Sequence, residues 1–185
     1  MKAIETERLV IRPFVMDDLE EIHKLISYPQ VAWIGGQVGT MDRTRQWLGE
    51  HIGDANRHFG TFAIVRRTDN VLVGLIALGP PYLADFIRFE DAPNAKFNSL
   101  EVELGYALAP EHWGNGYASE AGKAMVRYAF EDLKLPRIVN SVRKDNTRSI
   151  NVMKRLGFRI VANAHPQWSN EVLGVLYNRS LSEGG

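Results

Sequence analysis

The amino-acid sequence predicts a mixed α/β domain of the α+β class. Seven short runs are rich in β-branched and aromatic residues, and four other runs repeat apolar residues at helical spacing. Turn-forming residues separate these runs, which follow the order βααββ, a long loop, then βαβαββ. A chain of 185 residues can bury one sizeable core, so we expect a single domain over residues 1–185.

The first half of the chain begins with a strand and two helices. Asp17 and Glu20 form a predicted capping pair for the first helix, and Thr40 is placed to cap the second. Only Thr68-Asp69-Asn70 separates the next two strands, which predicts a hairpin. Residues 80–99 carry three prolines and no consistent period, so they predict a long loop.

In the second half, Pro136 ends one helix and Gly157 stands where a helix C-cap is expected. The four expected helices cover residues 17–26, 42–52, 118–133 and 146–156. The seven expected strands cover residues 8–14, 58–67, 71–79, 100–109, 137–142, 158–162 and 171–178.

Composition excludes several classes of function. Lys and Arg together number 22, as do Asp and Glu, so no overall charge directs the protein to nucleic acid or to an anionic membrane. The first residues lack a signal-peptide core and the longest apolar run, 71–79, is too short to span a bilayer, so we expect a cytoplasmic protein. Cysteine is absent and the five histidines show no ligand spacing, so no metal site is expected.

The stretch PEHWGNGYASEA, residues 110–121, joins a predicted strand to a predicted helix through two glycines. Such a turn can direct several unpaired backbone N–H groups and the helix dipole at one anion, typically a phosphate. A purely structural Gly-x-Gly turn is equally compatible with the stretch. A dinucleotide fingerprint fits poorly because Ser119 replaces its third small residue, and no Walker A sequence is present.

Three segments together resemble the GNAT superfamily of acyl-CoA-dependent N-acetyltransferases: ETERLVIRPF at 5–14, ELGYALAPEHWGNGYASEA at 103–121 and DNTRSINVMKRLGF at 145–158. They are most similar to its ribosomal-protein N-acetyltransferase-like (RimJ/RimL-type) branch. The resemblance implies a seven-stranded, mostly antiparallel sheet that is splayed between the strands at 100–109 and 137–142. Acetyl-CoA would lie in this opening as co-substrate.

The resemblance also implies which residues bind acetyl-CoA. Backbone N–H groups of the glycine stretch would hold the pyrophosphate, and a bulge near Ala107 or Leu108 would free an N–H for the thioester carbonyl. Asn146 and Ser149 match positions that hold the pantetheine arm, although Asn146 is equally suited to be a helix cap. The expected cradle residues are Trp113, Gly114, Asn115, Gly116, Tyr117, Ala118 and Ser119, with Trp113 replacing the usual polar residue.

With no cysteine to form an acyl-enzyme, the acceptor amine is expected to attack the thioester directly. The resemblance implies Glu103 as the base, since it matches the acid of the branch's E-x-G-Y pattern, and Glu101, which shares its strand parity, is the reserve. A role of both as ordinary solvated carboxylates remains open. Met153 stands where many relatives carry a tyrosine general acid, so either Ser149 or solvent would protonate the departing thiol.

The predicted activity is therefore acetyl transfer to a primary amine, either a protein N-terminus or a small molecule. Two other functions remain open, a non-catalytic acyl-CoA-binding module and a structural or nucleotide-binding domain. The sequence identifies neither the acceptor nor whether the chain forms a homodimer.

Overall fold

The computed structural model describes residues 1–31, 39–53, 58–79 and 102–179. The predicted loop at 80–99 and the reserve base Glu101 lie outside the described residues. The chain folds as two compact units, residues 1–77 with 105–124 and residues 78–104 with 125–185. The expected single-domain organisation stays a prediction.

The described part of the chain contains eight strands in one mixed sheet and four α-helices. The strands are β1 (Ile4–Glu5), β2 (Leu9–Arg12), β3 (Gly60–Arg66), β4 (Leu72–Gly79), β5 (Glu103–Leu108), β6 (Arg137–Arg143), β7 (Arg159–Ala162) and β8 (Glu171–Tyr177). The helices are α1 (Leu19–Ser27), α2 (Met41–Ile52), α3 (Tyr117–Arg127) and α4 (Thr147–Leu156). The α+β class is thus confirmed, with one strand more than the seven predicted because two residues before the first predicted strand pair with it as β1.

The first unit contains β1, β2 and β3 and most of β4 and β5, and within it β1, β2 and β3 pair antiparallel. The turn after β3 forms where predicted, since the Arg66 N–H donates to the Val71 carbonyl and Asn70 has a positive φ of 59°. Apolar residues of α1 and α2 pack with alternate residues of the strands, among them Leu25, Leu48 and Val65, in one buried cluster. Burial of this kind is the main source of stability.

The second unit contains β6, β8 and β7, which pair antiparallel in that order. Helix α4 ends as predicted at Gly157, whose φ of +91° is the left-handed conformation of a C-cap. The absence of a side chain at Gly174 of β8 leaves room for Met153 of α4, since a Cβ at Gly174 would lie 2.7 Å from the Met153 sulfur. Met153 is consequently fully buried.

Candidate active site

The glycine stretch forms a tight connection between β5 and α3. A single 3₁₀ turn, Pro110–His112, follows the strand, and α3 begins at Tyr117. Gly114 and Gly116 have φ angles of +80° and +79°, a region that side chains with a Cβ rarely adopt. The glycines are therefore required by the backbone conformation of this turn.

Carbonyl groups along the connection have acceptor roles inside the protein. Asn115 donates from Nδ2 to the carbonyls of His112 and Trp113, at 3.1 and 3.2 Å, and its own carbonyl accepts from Arg8 Nη1 at 3.0 Å. The carbonyls of Ala109, Pro110 and Gly116 accept main-chain N–H groups of His112, Trp113 and Glu120. These contacts fix the peptide orientations of the turn.

From Gly114 on, the main-chain N–H groups of the same connection, in contrast to its carbonyls, lack partners within the described residues. Within the described residues, no acceptor contacts the main-chain N–H groups of residues 114–119. The Ser119 hydroxyl oxygen, at the start of α3, is also buried and has no partner in the described part of the chain. A run of N–H donors at a helix N-terminus is an anion-binding arrangement.

The end of β5 is constrained from two directions that sequence reasoning missed. The indole Nε1 of Trp113 donates to the Leu108 carbonyl at 2.8 Å, so this side chain contacts the strand rather than an external anion. On β4, a Cβ at Gly74 would lie 2.3 Å from the Ala107 carbonyl oxygen, so the two backbones approach more closely than any other residue type allows. In the sequence, the only indication of this close approach was a glycine, Gly74, inside a predicted strand.

Glu103 lies at the start of β5, where that strand pairs in parallel with β6 through Val139. Its carboxylate accepts the Ser141 N–H at 3.2 Å, and the Ser141 hydroxyl donates to Glu171 at 2.6 Å. Burial raises the pKa of Glu103, the Ser141 N–H lowers it, and the negative charge of Glu171 raises it again, with a net increase. Glu103 is therefore a partly buried carboxylate of increased basicity.

Beside Glu103, side chains replace one of the main-chain hydrogen bonds of the parallel ladder between β5 and β6. The Val139 N–H donates to the Val102 carbonyl at 2.9 Å, and the next rung would join the Ser141 N–H to the Leu104 carbonyl. Instead, Glu103 takes the Ser141 N–H and the amide of Asn140 donates to the Leu104 carbonyl. Side chains thus occupy both groups of that rung, between the two strands that the family resemblance implied to separate.

Helix α4 carries the remaining predicted residues. The Asn146 side chain caps the helix by accepting the Ser149 N–H at 3.1 Å, as one of its two predicted roles requires. Asn146 is exposed and Ser149 is partly buried. The cradle at 114–119 belongs to the first unit, whereas Glu103 and α4 belong to the second.

Comparisons with known proteins place the chain among acetyltransferases. The family described as "Acetyltransferase (GNAT) domain" matches residues 8–159. An Aspergillus fumigatus protein named FsC-acetyl coenzyme A-N(2)-transacetylase is 39% identical over 84% of this chain and 64% of its own length. An uncharacterized N-acetyltransferase of Bacillus subtilis, YnaD, is 28% identical over 84% of this chain and 82% of its own length.

A GNAT-family acetyltransferase from Bacillus anthracis has a similar crystal structure, with a TM-score of 0.74 and 28% identity over 96% of this chain and 99% of that one. The chain belongs to the GNAT acetyltransferase family. It is an N-acetyltransferase, and acetyl-CoA is the acetyl donor that this family uses.

Two further properties concern the part of the chain that the structure describes. There, no group of three or more His, Cys, Asp or Glu side chains is arranged to hold a metal ion. No helix in the same residues has both the length and the apolar character needed to cross a bilayer.

Proposed function

We propose that the protein transfers an acetyl group from acetyl-CoA to a primary amine, with the N-terminal α-amine of a protein or peptide as the acceptor. The observation that carries the proposal is the row of N–H groups at 114–119, which have no acceptor in the described residues while neighbouring carbonyls are occupied. The pyrophosphate of acetyl-CoA matches this row in charge and in hydrogen-bonding capacity.

The reaction needs a neutral amine, a polarised thioester and a proton acceptor. Glu103 removes a proton from the acceptor through water as the amine nitrogen attacks the thioester carbon. A main-chain N–H near Ala107 or Leu108 stabilises the developing oxyanion. The carbon–sulfur bond then breaks, the amide is released, and Ser149 or solvent protonates the departing thiolate.

The strength of the proposed base supports an α-amine as the acceptor. An α-amine has a pKa of about 7.7–8.0, so its deprotonation at neutral pH costs only about 1 kcal/mol, against about 4.6 kcal/mol for a lysine-like amine. A partly buried carboxylate with a raised pKa, such as that of Glu103, suits an α-amine better than a lysine-like amine. Two structural neighbours act on ribosomal proteins by their names, but at 18% identity or less they support the fold alone.

The sequence also left open a non-catalytic acyl-CoA-binding module, which the match to the N-acetyltransferase family disfavours. Met153 is the reason for this alternative, because the family resemblance implies a tyrosine acid at the position of this fully buried thioether. The module would bind acetyl-CoA through the same cradle but would release no thiol in the presence of amines.

Calorimetry with acetyl-CoA, followed by thiol release with peptides whose N-termini are free or acetylated, tests the proposal. Binding together with turnover only on free N-termini is expected. Glu103→Gln should lower kcat with little change in acetyl-CoA affinity, while Glu131→Gln, at an exposed carboxylate, should match the wild type. Binding without turnover on any amine would favour the module, and no binding would exclude both functions.

A further inference from the structure

The N-terminal segment Thr6–Arg8 contacts the start of α3 through Glu120. Glu120 Oε1 accepts the Thr6 hydroxyl at 2.6 Å and the Arg8 main-chain N–H at 2.8 Å. Glu120 Oε2 accepts Arg8 Nε at 2.7 Å and forms an ion pair with Nη2 at the same distance. Both carboxylate oxygens are therefore occupied by a segment more than a hundred residues away in sequence.

The same guanidinium also contacts the cradle directly. Arg8 Nη1 donates to the Asn115 carbonyl at 3.0 Å, and the guanidinium lies 4.9 Å from the centroid of the Tyr117 ring. A Cβ at Gly116 would be 3.5 Å from Arg8 Nη2. One planar cation thus touches the loop, the first helical residue and the carboxylate in the first turn of α3.

Orientation is the first consequence of these contacts. A row of N–H groups can converge on an anion only if the intervening carbonyls point elsewhere. Arg8 holds the carbonyl of Asn115, which lies between Gly114 and Gly116, the two residues with positive φ. Without this contact the Asn115–Gly116 peptide can rotate and present its oxygen to the anion.

Charge is the second consequence. Glu120 lies near the row of N–H groups, and a free carboxylate there would repel a pyrophosphate. Burial raises the pKa of Glu120, but the hydrogen bonds from Thr6 and Arg8 outweigh it and lower that pKa overall, so Glu120 is ionised at neutral pH. The guanidinium of Arg8 neutralises this charge at a distance of 2.7 Å.

We infer that Arg8 is a positioning residue of the acetyl-CoA site, which orients the Asn115–Gly116 peptide and neutralises Glu120 so that the N–H groups at 114–119 bind the pyrophosphate. This inference rests on the proposed function. It gives a role to the segment ETERLVIRPF, which the proposed chemistry does not otherwise use.

The test compares Arg8→Gln with Arg67→Gln by calorimetry with acetyl-CoA and by the KM for acetyl-CoA. Arg67 is a matched control because its side chain is 45% exposed, as that of Arg8 is, and it also contacts the N-terminal segment, at the Thr6 carbonyl. Arg8→Gln should weaken binding and raise KM by about 10- to 100-fold, the range for a charge-assisted hydrogen bond, with a smaller change in kcat. Arg67→Gln should leave both constants unchanged.

Two further variants separate positioning from charge and from folding. Arg8→Gln combined with Glu120→Gln removes the unpaired carboxylate but leaves the Asn115 carbonyl without its donor, so affinity should recover only in part. Arg8→Lys keeps the charge and is expected to fold, but it cannot make all three contacts, and it should also bind acetyl-CoA more weakly than the wild type.

Wild-type affinity in folded Arg8→Gln or Arg8→Lys, or full recovery in the double variant, would overturn the inference while leaving the proposed function intact. Failure of the wild-type protein itself to bind acetyl-CoA would instead refute the proposed function. The melting temperature of each unliganded variant is measured in parallel, so that a loss of folding is not read as a loss of affinity.

Discussion

The substitution Gly74→Ala tests whether close packing of β4 against β5 sets the geometry of the reaction. An added Cβ would lie 2.3 Å from the Ala107 carbonyl oxygen and 2.9 Å from the Cα and Cγ atoms of Leu108. A relaxed carbon–oxygen contact is about 3.3 Å or longer, so one of the two backbones must move by about 1 Å. The Ala107–Leu108 peptide on β5 carries one of the two candidate oxyanion donors, the Leu108 N–H.

Two magnitudes follow from this displacement. Overpacking a buried site costs about 1–3 kcal/mol of unfolding free energy. A misplacement of about 1 Å at reacting groups costs about 100-fold in rate, and loss of one oxyanion donor costs a similar factor or more. We therefore expect kcat to fall by about 100-fold. Acetyl-CoA affinity should change far less, because the atoms nearest the added Cβ belong to Ala107 and Leu108 and not to residues 114–119.

Thiol release at saturating acetyl-CoA and peptide measures kcat, and urea unfolding measures stability. Gly79→Ala, on the same strand, is the control, since an added Cβ there meets no described atom within 4 Å. A Gly74→Ala variant that folds and retains the kcat of the wild type would refute the proposed placement of the oxyanion donor.

Three other substitutions give separate predictions. Glu171→Gln should move the acidic limb of the kcat/KM pH profile to lower pH. The charge of Glu171 raises the pKa of Glu103, which must be ionised to act as the base. An unmoved limb would count against Glu103 as the base. Trp113→Phe removes the indole donor to the Leu108 carbonyl, so it should lower the free energy of unfolding in urea by about 1 kcal/mol and also lower kcat. An unchanged kcat would assign the indole to packing alone. Ser149→Ala should slow thiol release if its hydroxyl protonates the thiolate, and an unchanged rate would assign that step to solvent.

Local signals in the sequence predicted most of the fold. Strand and helix bounds agree within a few residues wherever the structure describes them, because periodicity and turn chemistry act over short distances. Thr40 caps α2 as predicted, by accepting the Arg43 N–H. The predicted capping pair of Asp17 and Glu20 before α1 was wrong. Asp18 is the capping residue there, and its buried carboxylate accepts the Val15 N–H and forms an ion pair with Arg12.

The position of the cradle at 114–119 was predictable from the sequence, but the contacts that hold it were not. The sequence indicated Gly114, Gly116 and the start of α3, since glycine spacing and helix initiation are local patterns. The contacts that hold the turn come from residues distant in sequence, such as Arg8, or from a side chain whose rotamer decides its partner, as with Trp113. No periodicity or propensity encodes such pairings.

The proposed site depends on main-chain N–H groups at 114–119 that bind the pyrophosphate of acetyl-CoA. Amide chemical shifts recorded during titration with acetyl-CoA, and separately with acetyl-pantetheine, which lacks the pyrophosphate, report on these groups individually. Pyrophosphate binding should move the Gly114 and Gly116 amide protons downfield with acetyl-CoA and leave them unmoved with acetyl-pantetheine. Saturation by acetyl-CoA with these amide protons unmoved, or equal shifts with acetyl-pantetheine, would contradict it.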